Sequence, residues 1–332
     1  MRIFSGIQPT GAKHLGNYAG GFRQYVATQD LAAREGGEAF FCIVDLHSVS
    51  VEYDPADLRE RTFDLLALLV ATGLDPERST IFVQSHVTAH AEANWLLATV
   101  TSFGELRRMT QFKDKAEAQE FVSAALFTYP VLQAGDILLY QTDLVPVGVD
   151  QRQHIELTRD IAERFNARYG ETFTIPRGVY PETGARIQDL QEPERKMSTT
   201  GGTEQGTVYL LDPPDAIRRK LKTAVTDSGR EIVHREDKPG ISNLIEIMTV
   251  ATGESIPEVE ARFAGQGYGA FKEQVAEAVI ALLEPIQARF REIRSDPGEL
   301  RRLLSVGAEK ARAASAPTIE AMYERMGFVR PS

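Results

Sequence analysis

The first half of the chain alternates between two hydrophobic patterns. Ile3 to Gly6, Phe40 to Asp45, Thr80 to Gln84 and Leu144 to Val147 read as short strands, one of them inside the apolar run Ala39-Phe40-Phe41-Cys42-Ile43-Val44. The segments that follow them, from about His14, Pro55 to Thr72, Ala89 to Val100 and Gln151 to Arg168, read as helices. In the last of these Ile155, Ile161, Ala162 and Phe165 form the apolar face, which leaves His154, Asp160 and Arg164 elsewhere on the cylinder. Asp54-Pro55 predicts a helix entry, with an aspartate N-cap and proline at the first helical position. Strands separated by helices predict βαβ units, hence an α/β fold with a Rossmann-like parallel sheet and right-handed crossovers. Beyond a polar, glycine-bearing loop from Glu192 to Gly206 the alternation stops and helices dominate: Pro214 to Val225, Ile241 to Ala251, Pro257 to Phe263, Phe271 to Arg294, Glu299 to Ala314 and Thr318 to Met326. Pro285 is expected to kink or divide the longest of them.

In such a sheet ligands bind beyond the carboxyl ends of the strands, and His14, Asp45, His47 and Ser85 all fall there. Near the first strand, Pro9-Thr10-Gly11-Ala12-Lys13-His14-Leu15-Gly16-Asn17 combines turn glycines with a helix start, where free N–H groups and partial positive charge suit phosphate. His14 and Asn17 add side-chain donors for charge building on an α-phosphate. On the glycine-bearing loop, Lys196 suits the β- and γ-phosphates, with hydroxyls from Ser198 and Thr200. After the fourth strand, Asp150 is placed to accept from ribose hydroxyls and Gln151 to reach an α-amino group. Tyr129, Gln133 and Asp136 recur on one helical face, where the carboxylate accepts from an aromatic ligand's N–H or O–H, or else pairs within the core.

The chain of 332 residues holds no stretch of about 18 apolar residues, so no membrane span is expected, and its start reads as a strand without the features of a secretory signal. A lone cysteine, Cys42, reads as a buried small hydrophobe of a reducing, cytoplasmic compartment. The net charge of −10 argues against bulk attraction to nucleic acid, leaving local basic groups as candidate contacts. These are Arg107-Arg108, Arg218-Arg219-Lys220 with Lys222, and Arg289, Arg291, Arg294, Arg301 and Arg302, for each of which a solvated helix face is the commoner explanation. Gly265-Gln266-Gly267-Tyr268-Gly269 follows no strand and reads as a loop rather than a dinucleotide site. His86 and His90 have helical ligand spacing without a third ligand, so core or capping roles are expected and no metal site is assigned.

The two phosphate-handling stretches resemble the signatures of class I aminoacyl-tRNA synthetases. With the run from Val145 to Asn166, Met109 to Lys115, Thr223 to Asp227 and Lys238 to Leu244, nearly the whole chain resembles the bacterial tryptophanyl-tRNA synthetases. The resemblance implies ATP contacts at Gln8, Pro9, Thr10, Gly16, Asn17, Gly148, Val149, Asp150, Ile187 and the loop Lys196, Met197, Ser198, Thr199 and Thr200. It implies tryptophan contacts at Phe4, His47, Tyr129, Asp136 and Gln151, with Gln133 beside them, and Asp136 accepting from the indole N–H. His14, Asn17, Lys115, Lys196 and Ser198 become the expected catalytic set, with Lys115 assisting the departing pyrophosphate.

Further implications are Mg-ATP and tRNA as partners, a homodimer, and a division into a catalytic domain (1–202), a helical anticodon domain (203–290) and C-terminal helices packing back on the first (291–332). Two positions depart from the family pattern: Thr199 stands where a second lysine is usual, and Val149 where glutamate is. Loss of one charge-assisted contact costs roughly 1.5–3 kcal/mol, on the order of 10- to 100-fold in rate. A tyrosyl-specific relative, whose phenol O–H suits the same aspartate, and a weakly catalytic paralogue that binds tryptophan or tRNA are the rival readings.

Overall fold

A computed structural model of the chain describes residues 1–112, 121–180, 187–198 and 202–329, the side chain of Val149 excepted. The elements in order are β1 (Arg2–Ile7), α1 (Arg23–Arg34), β2 (Glu38–Ile43), α2 (Pro55–Ala71), β3 (Thr80–Val83), α3 (Ala89–Ala98), α4 (Phe103–Arg108), α5 (Ala124–Leu138), β4 (Leu144–Pro146), α6 (Arg152–Tyr169) and β5 (Arg177–Val179). Helices then follow without strands: α7 (Pro214–Lys222), α8 (Pro239–Thr252), α9 (Ile256–Phe263), α10 (Tyr268–Arg294) and α11 (Pro297–Arg325). The expected α/β class is therefore found, with the helical region after the loop.

The strands form one parallel sheet in the order β3-β2-β1-β4-β5. The chain reverses its direction of travel across the sheet between β3 and β4, so the crevice lies beyond the ends of β1 and β4, the position from which α/β sheets bind ligands. Alternation along each strand divides the core in two. Ile3, Phe41, Ile43, Ile81 and Val83 face one layer, with α2 and much of the helical region. Phe4, Phe40, Cys42 and Phe82 face the other, with α3, α5, α6 and the end of α11. Burial on both faces is why these strands read as continuous apolar runs. Cys42 is wholly buried, as expected, and burial pushes its thiol well up, with the charges of Asp136 and Asp45 acting in the same direction.

The predicted entry to α2 is present: Asp54 Oδ1 accepts from the Ala56 and Asp57 N–H groups at 2.7 and 3.0 Å, with Pro55 opening the helix. Two helix expectations are corrected. α10 runs unbroken from Tyr268 to Arg294 through Pro285, and α11 joins the two expected C-terminal helices through Pro317. A proline inside a helix forfeits a backbone bond at about 3 kcal/mol. Buried Leu283 and Ile286 on either side of Pro285, and Ser315, Thr318 and Ile319 around Pro317, outweigh that loss through packing.

α11 lies directly against β3: a Cβ on Gly307 would sit 1.9 Å from the Ile81 carbonyl oxygen. Lys310 Nζ donates to the Pro76 carbonyl at 2.6 Å and Arg312 Nε to that of His86 at 2.9 Å. Of the stretch Gly265 to Gly269, read as a loop, residues 265–267 form the loop between α9 and α10, with Gly265 in the left-handed region at φ 78°, while Tyr268 and Gly269 open α10.

Several of the basic groups pair within the chain, Arg218 and Arg302 on solvated faces as expected and Lys220 in the interior. Lys220 is buried, donating to the Thr207 carbonyl at 2.8 Å and Asp212 Oδ2 at 2.7 Å. Arg218 pairs with Glu277 and Asp215, Arg294 with Glu60 and Asp64, and Arg302 with Glu299. Lys220 thus leaves the set of nucleic-acid candidates, because a buried ammonium with two oxygen partners has no donor facing solvent.

Candidate active site

Strand β1 ends in a turn whose Gly11 takes φ 61°, a conformation that costs glycine little, and His14 then opens a helical turn, Leu15–Asn17. Asn17 Oδ1 accepts from the His14 N–H at 3.0 Å, so the asparagine fixes the start of that turn. The segment after the glycine-bearing loop pairs with it: Leu15 N–H donates to the Val208 carbonyl and Leu210 N–H to that of Lys13, each at 2.9 Å. Gly16 is wedged between the two signatures. A Cβ there would lie 3.0 Å from the His14 ring and 3.8 Å from Met197 Cβ.

Lys196 itself sits on a hairpin, where Gln188 and Lys196 form an antiparallel bridge and Met197 N–H donates to the Ile187 carbonyl at 3.1 Å. Ile187 and Met197 are buried while Lys196 is exposed. Ser198 offers its carbonyl to Thr207 Oγ1 at 3.2 Å. The two distant stretches are thus brought together by backbone pairing. Burial, followed by the charges of Lys13 and Lys196, lowers the His14 imidazole to about 4, so the ring is neutral at physiological pH. Pro9 is buried, Thr10 exposed, and the carbonyls of Gln8 and Thr10 each accept from Lys13 Nζ at 2.8 Å. Expected roles for Lys115, Thr199 and Thr200 lie outside the described residues.

Beyond β4, Gly148 leads into a single helical turn, Val149–Gln151. Asp150 folds back against the glycine: a Cβ on Gly148 would meet Asp150 Oδ1 at 2.5 Å. Its other oxygen accepts from Gln151 Nε2 at 2.8 Å, and its carbonyl from Gln111 Nε2 at 3.3 Å. Gln133 Nε2 lies 3.5 Å from Gln151 Oε1, at the limit of a hydrogen bond.

A buried polar network adjoins this turn. Asp136 is 1% exposed, and its Oδ1 accepts from Gln84 Nε2 and His90 Nδ1, each at 2.6 Å, while Oδ2 accepts from His47 Nε2 at 2.8 Å. Burial by itself raises this carboxyl; the hydrogen bonds from His47 and His90 outweigh it and hold the group well below the usual carboxylate range. His90 passes the network on through Nε2 to the Tyr140 hydroxyl at 2.9 Å. The Tyr140 ring stacks on Phe4 at 5.6 Å and 18°. On the other side the His47 ring meets Tyr129 edge-on at 6.2 Å, and Tyr129 Oη lies 2.8 Å from His154 Nε2 and 3.3 Å from Gln111 Oε1. Burial raises the Tyr129 phenol to about 12, so it stays protonated.

The residues expected at an amino-acid site, Phe4, His47, Tyr129, Gln133, Asp136 and Gln151, therefore form one connected cluster. Three participants were not foreseen. His154 was placed off the apolar face of its helix, yet is 1% exposed, with the facing Tyr129 hydroxyl meeting its Nε2. Gln84 and His90 approach Asp136 from β3 and α3, and no local spacing signals such a meeting. His90 has a core role, as expected, and among the described residues no group of three or more His, Cys, Asp or Glu could hold a metal ion.

A neutral histidine and an exposed lysine lie by a glycine turn at the crevice, and a buried carboxylate sits among aromatic rings close by, an inventory that suits a nucleotide and an amino acid. The chain belongs to the family of class I tRNA synthetases (W and Y), which it matches over residues 1–284. It is 52% identical to the tryptophan–tRNA ligase of Caldanaerobacter subterraneus subsp. tengcongensis over 99% of this chain and 98% of that protein. It is likewise 52% identical to tryptophan–tRNA ligase 2 of Streptomyces avermitilis, over 99% and 97%. Among solved structures, tryptophanyl-tRNA synthetase from Campylobacter jejuni complexed with ADP and tryptophan superposes with a TM-score of 0.86, at 32% identity over 99% of this chain and 100% of that one. The Mycoplasma pneumoniae tryptophanyl-tRNA synthetase gives a TM-score of 0.88, at 35% identity over 99% and 98%.

Proposed function

We propose that this chain activates L-tryptophan with ATP and transfers it to its tRNA. The tryptophan carboxylate oxygen bonds to the α-phosphorus as the bond to the bridging oxygen breaks, giving tryptophanyl-adenylate and pyrophosphate. A hydroxyl of the tRNA terminal ribose then attacks the acyl carbon and AMP leaves. Neither step needs a protein nucleophile, so orientation and electrostatic stabilisation carry the catalysis. The observation that carries an aromatic amino acid with a ring donor is Asp136: ionised, and with three of its four acceptor positions filled by His47, Gln84 and His90, it keeps one on Oδ2 for an indole N–H or a phenol O–H. Full-length likeness to tryptophan ligases favours the indole.

In this reading Phe4, His47, Tyr129, Gln133 and Gln151 enclose the amino acid. Gln8, Pro9, Thr10, Gly16, Gly148, Val149, Asp150 and Ile187 hold the nucleotide. His14, Asn17, Lys196 and Ser198 stabilise the phosphates, joined by Lys115, Met197, Thr199 and Thr200. Mg2+ would enter with ATP as part of the substrate, since the groups assigned to the phosphates, His14, Asn17, Lys196 and Ser198, are cationic or neutral and suit an anion better than a metal. Residues 1–202 act as the catalytic domain, 203–290 read the anticodon, and 291–332 brace the first.

We further assign a homodimer, in the cytoplasm; no helix among the described residues is long and apolar enough to cross a membrane. The exposed aromatic side chains Trp95, Phe103 and Phe121, at 74%, 68% and 80%, support the dimer. Amino-acid-dependent ATP–pyrophosphate exchange tests the function: tryptophan should support exchange and tyrosine should not. Exchange with tyrosine alone would overturn the assignment.

A further inference from the structure

Lys220, in the last turn of α7, is 2% exposed, and the proposed chemistry makes no use of its charge. Its ammonium donates to the Thr207 carbonyl at 2.8 Å and to Asp212 Oδ2 at 2.7 Å, and lies 4.7 Å from the centre of the Tyr209 ring. The same Asp212 oxygen accepts from the Tyr209 N–H at 2.9 Å. All three partners belong to one short segment, 207–212, which α10 grips as well: Gln287 Nε2 donates to the Leu210 and Asp212 carbonyls at 2.8 and 2.9 Å. Both signatures are anchored to that segment. The Val208 carbonyl accepts from Leu15 N–H and Leu210 N–H donates to the Lys13 carbonyl, each at 2.9 Å, with His14 and Tyr209 bridged antiparallel between them. From the second signature, the Ser198 carbonyl accepts from Thr207 Oγ1 at 3.2 Å, and Leu190 N–H of the Lys196 hairpin donates to the Gly206 carbonyl at 2.9 Å. For stability alone a well-packed apolar side chain would serve as well as a buried ammonium. What the ammonium adds is direction, since it must meet two particular oxygens of one segment.

We propose that Lys220 is a positioning residue for the activation step: by holding the 207–212 segment to α7, it sets the register between His14 of the first signature and Lys196 and Ser198 of the second. This rests on the assignment of ATP to those signatures. Lys220 touches no substrate and acts only through the two stretches it aligns. Groups that stabilise developing phosphate charge work at one geometry, and misplacing them by about 1 Å costs on the order of 100-fold in rate.

The alternative is a strut that stabilises the fold and nothing else, and the test separates the two. Lys220→Met keeps the apolar stem and removes the grip. It should lower kcat for tryptophan-dependent ATP–pyrophosphate exchange by roughly 10- to 100-fold, with the tryptophan KM within about twofold, since the Asp136 network is built from other elements. Adding Asp212→Asn removes the carboxylate left without its ammonium, while the amide oxygen can still accept from Tyr209. The double variant should recover much of the urea stability lost in Lys220→Met and none of the kcat. Hydrogen exchange of the Leu15 and Leu210 amides, which join the segment to the first signature, reads the grip without substrate. Both should exchange on the order of 10-fold faster in folded Lys220→Met, with the β2 amides as protected as in the wild type. A folded Lys220→Met with wild-type kcat, Leu15 and Leu210 amides that stay protected, or a kcat that returns with stability in the double variant overturns the proposal. If the wild type supports no exchange with tryptophan, the assigned activity fails, and the amide protection still judges Lys220. If neither Lys220 variant folds by circular dichroism, Thr207→Val cuts the link to Ser198 with Lys220 in place: a lowered kcat supports the proposal and a wild-type kcat overturns it.

Discussion

Replacing Asp136 by asparagine changes charge without changing shape, so its effect isolates the buried network. Three donors converge on this carboxylate, Gln84 Nε2 and His90 Nδ1 on one oxygen and His47 Nε2 on the other. An amide presents two donors of its own. Its carbonyl can face Gln84 and His90, and its NH2 then confronts His47, which must change tautomer to accept. Each of the other two bonds drops from charge-assisted to neutral, a loss of about 1 kcal/mol apiece, and a mispaired buried donor costs about 1–3 kcal/mol more. Asp136→Asn should therefore lose about 3–5 kcal/mol, the range typical for breaking a buried ion pair. Against a native stability of roughly 5–15 kcal/mol that is a large share.

Urea unfolding followed by far-ultraviolet circular dichroism gives the stability change, and exchange at low temperature on the folded fraction gives the tryptophan KM. Both should worsen. The pH dependence provides a second signature, because a carboxyl held low in the folded state contributes stability above about pH 4, its unfolded value, and loses it as pH falls towards the folded value. Wild type should show that acid loss below about pH 4, and Asp136→Asn should not. A variant within about 1 kcal/mol of wild type, with unchanged tryptophan KM, would refute the reading of Asp136 as both the network's centre and the indole acceptor.

Three other outcomes follow from the geometry. His14 is lowered from 6.5 to about 4, so the unfolded chain takes up a proton between those values that the native chain refuses. Stability should fall with decreasing pH across that window by up to about 1.4 kcal/mol per unit, and denaturant midpoints of His14→Asn should lack that slope. Gly307→Ala would push a Cβ to 1.9 Å from the Ile81 carbonyl oxygen, and helix α11 cannot back away without unpacking from β3. A loss of about 1–3 kcal/mol or more is expected in urea unfolding, while Gly267→Ala, with open space around it, should cost far less. Phe103→Asp combined with Phe121→Asp should convert a dimer to monomer in sedimentation velocity; a double variant that sediments as wild type would move the dimer surface elsewhere.

Four of the five strands, their parallel pairing and the helix-rich second half were legible because burial on both faces of a sheet, and on one stripe of a helix, imposes periods that local sequence must obey; β5 was not, since its three residues are not buried and carry no such period. The two stretches proposed to hold phosphate stood out too, since turns at strand ends demand glycine and nucleotides demand donors. The continuity of α10 and α11 was not: whether a proline breaks a helix depends on what packs beside it, and Leu283, Ile286 and Ile319 acquire their neighbours only in the folded chain. The fate of Lys220 was hidden for the same reason, because its oxygen partners come from Thr207 and Asp212 once the chain has turned back.

The sequence alone thus determined the fold class and the chemical inventory of the site, properties carried by residue type and by spacing within single elements. Tertiary structure decided which members of that inventory meet. Asp136 gains Gln84 and His90 from the end of β3 and from α3, His154 meets Tyr129 across two helices, and Leu15 pairs with Val208 beyond the glycine-bearing loop. Such meetings span tens to hundreds of residues. Hydrogen bonds and Coulomb forces act over a few ångströms of space, so only the closed fold can assign their partners.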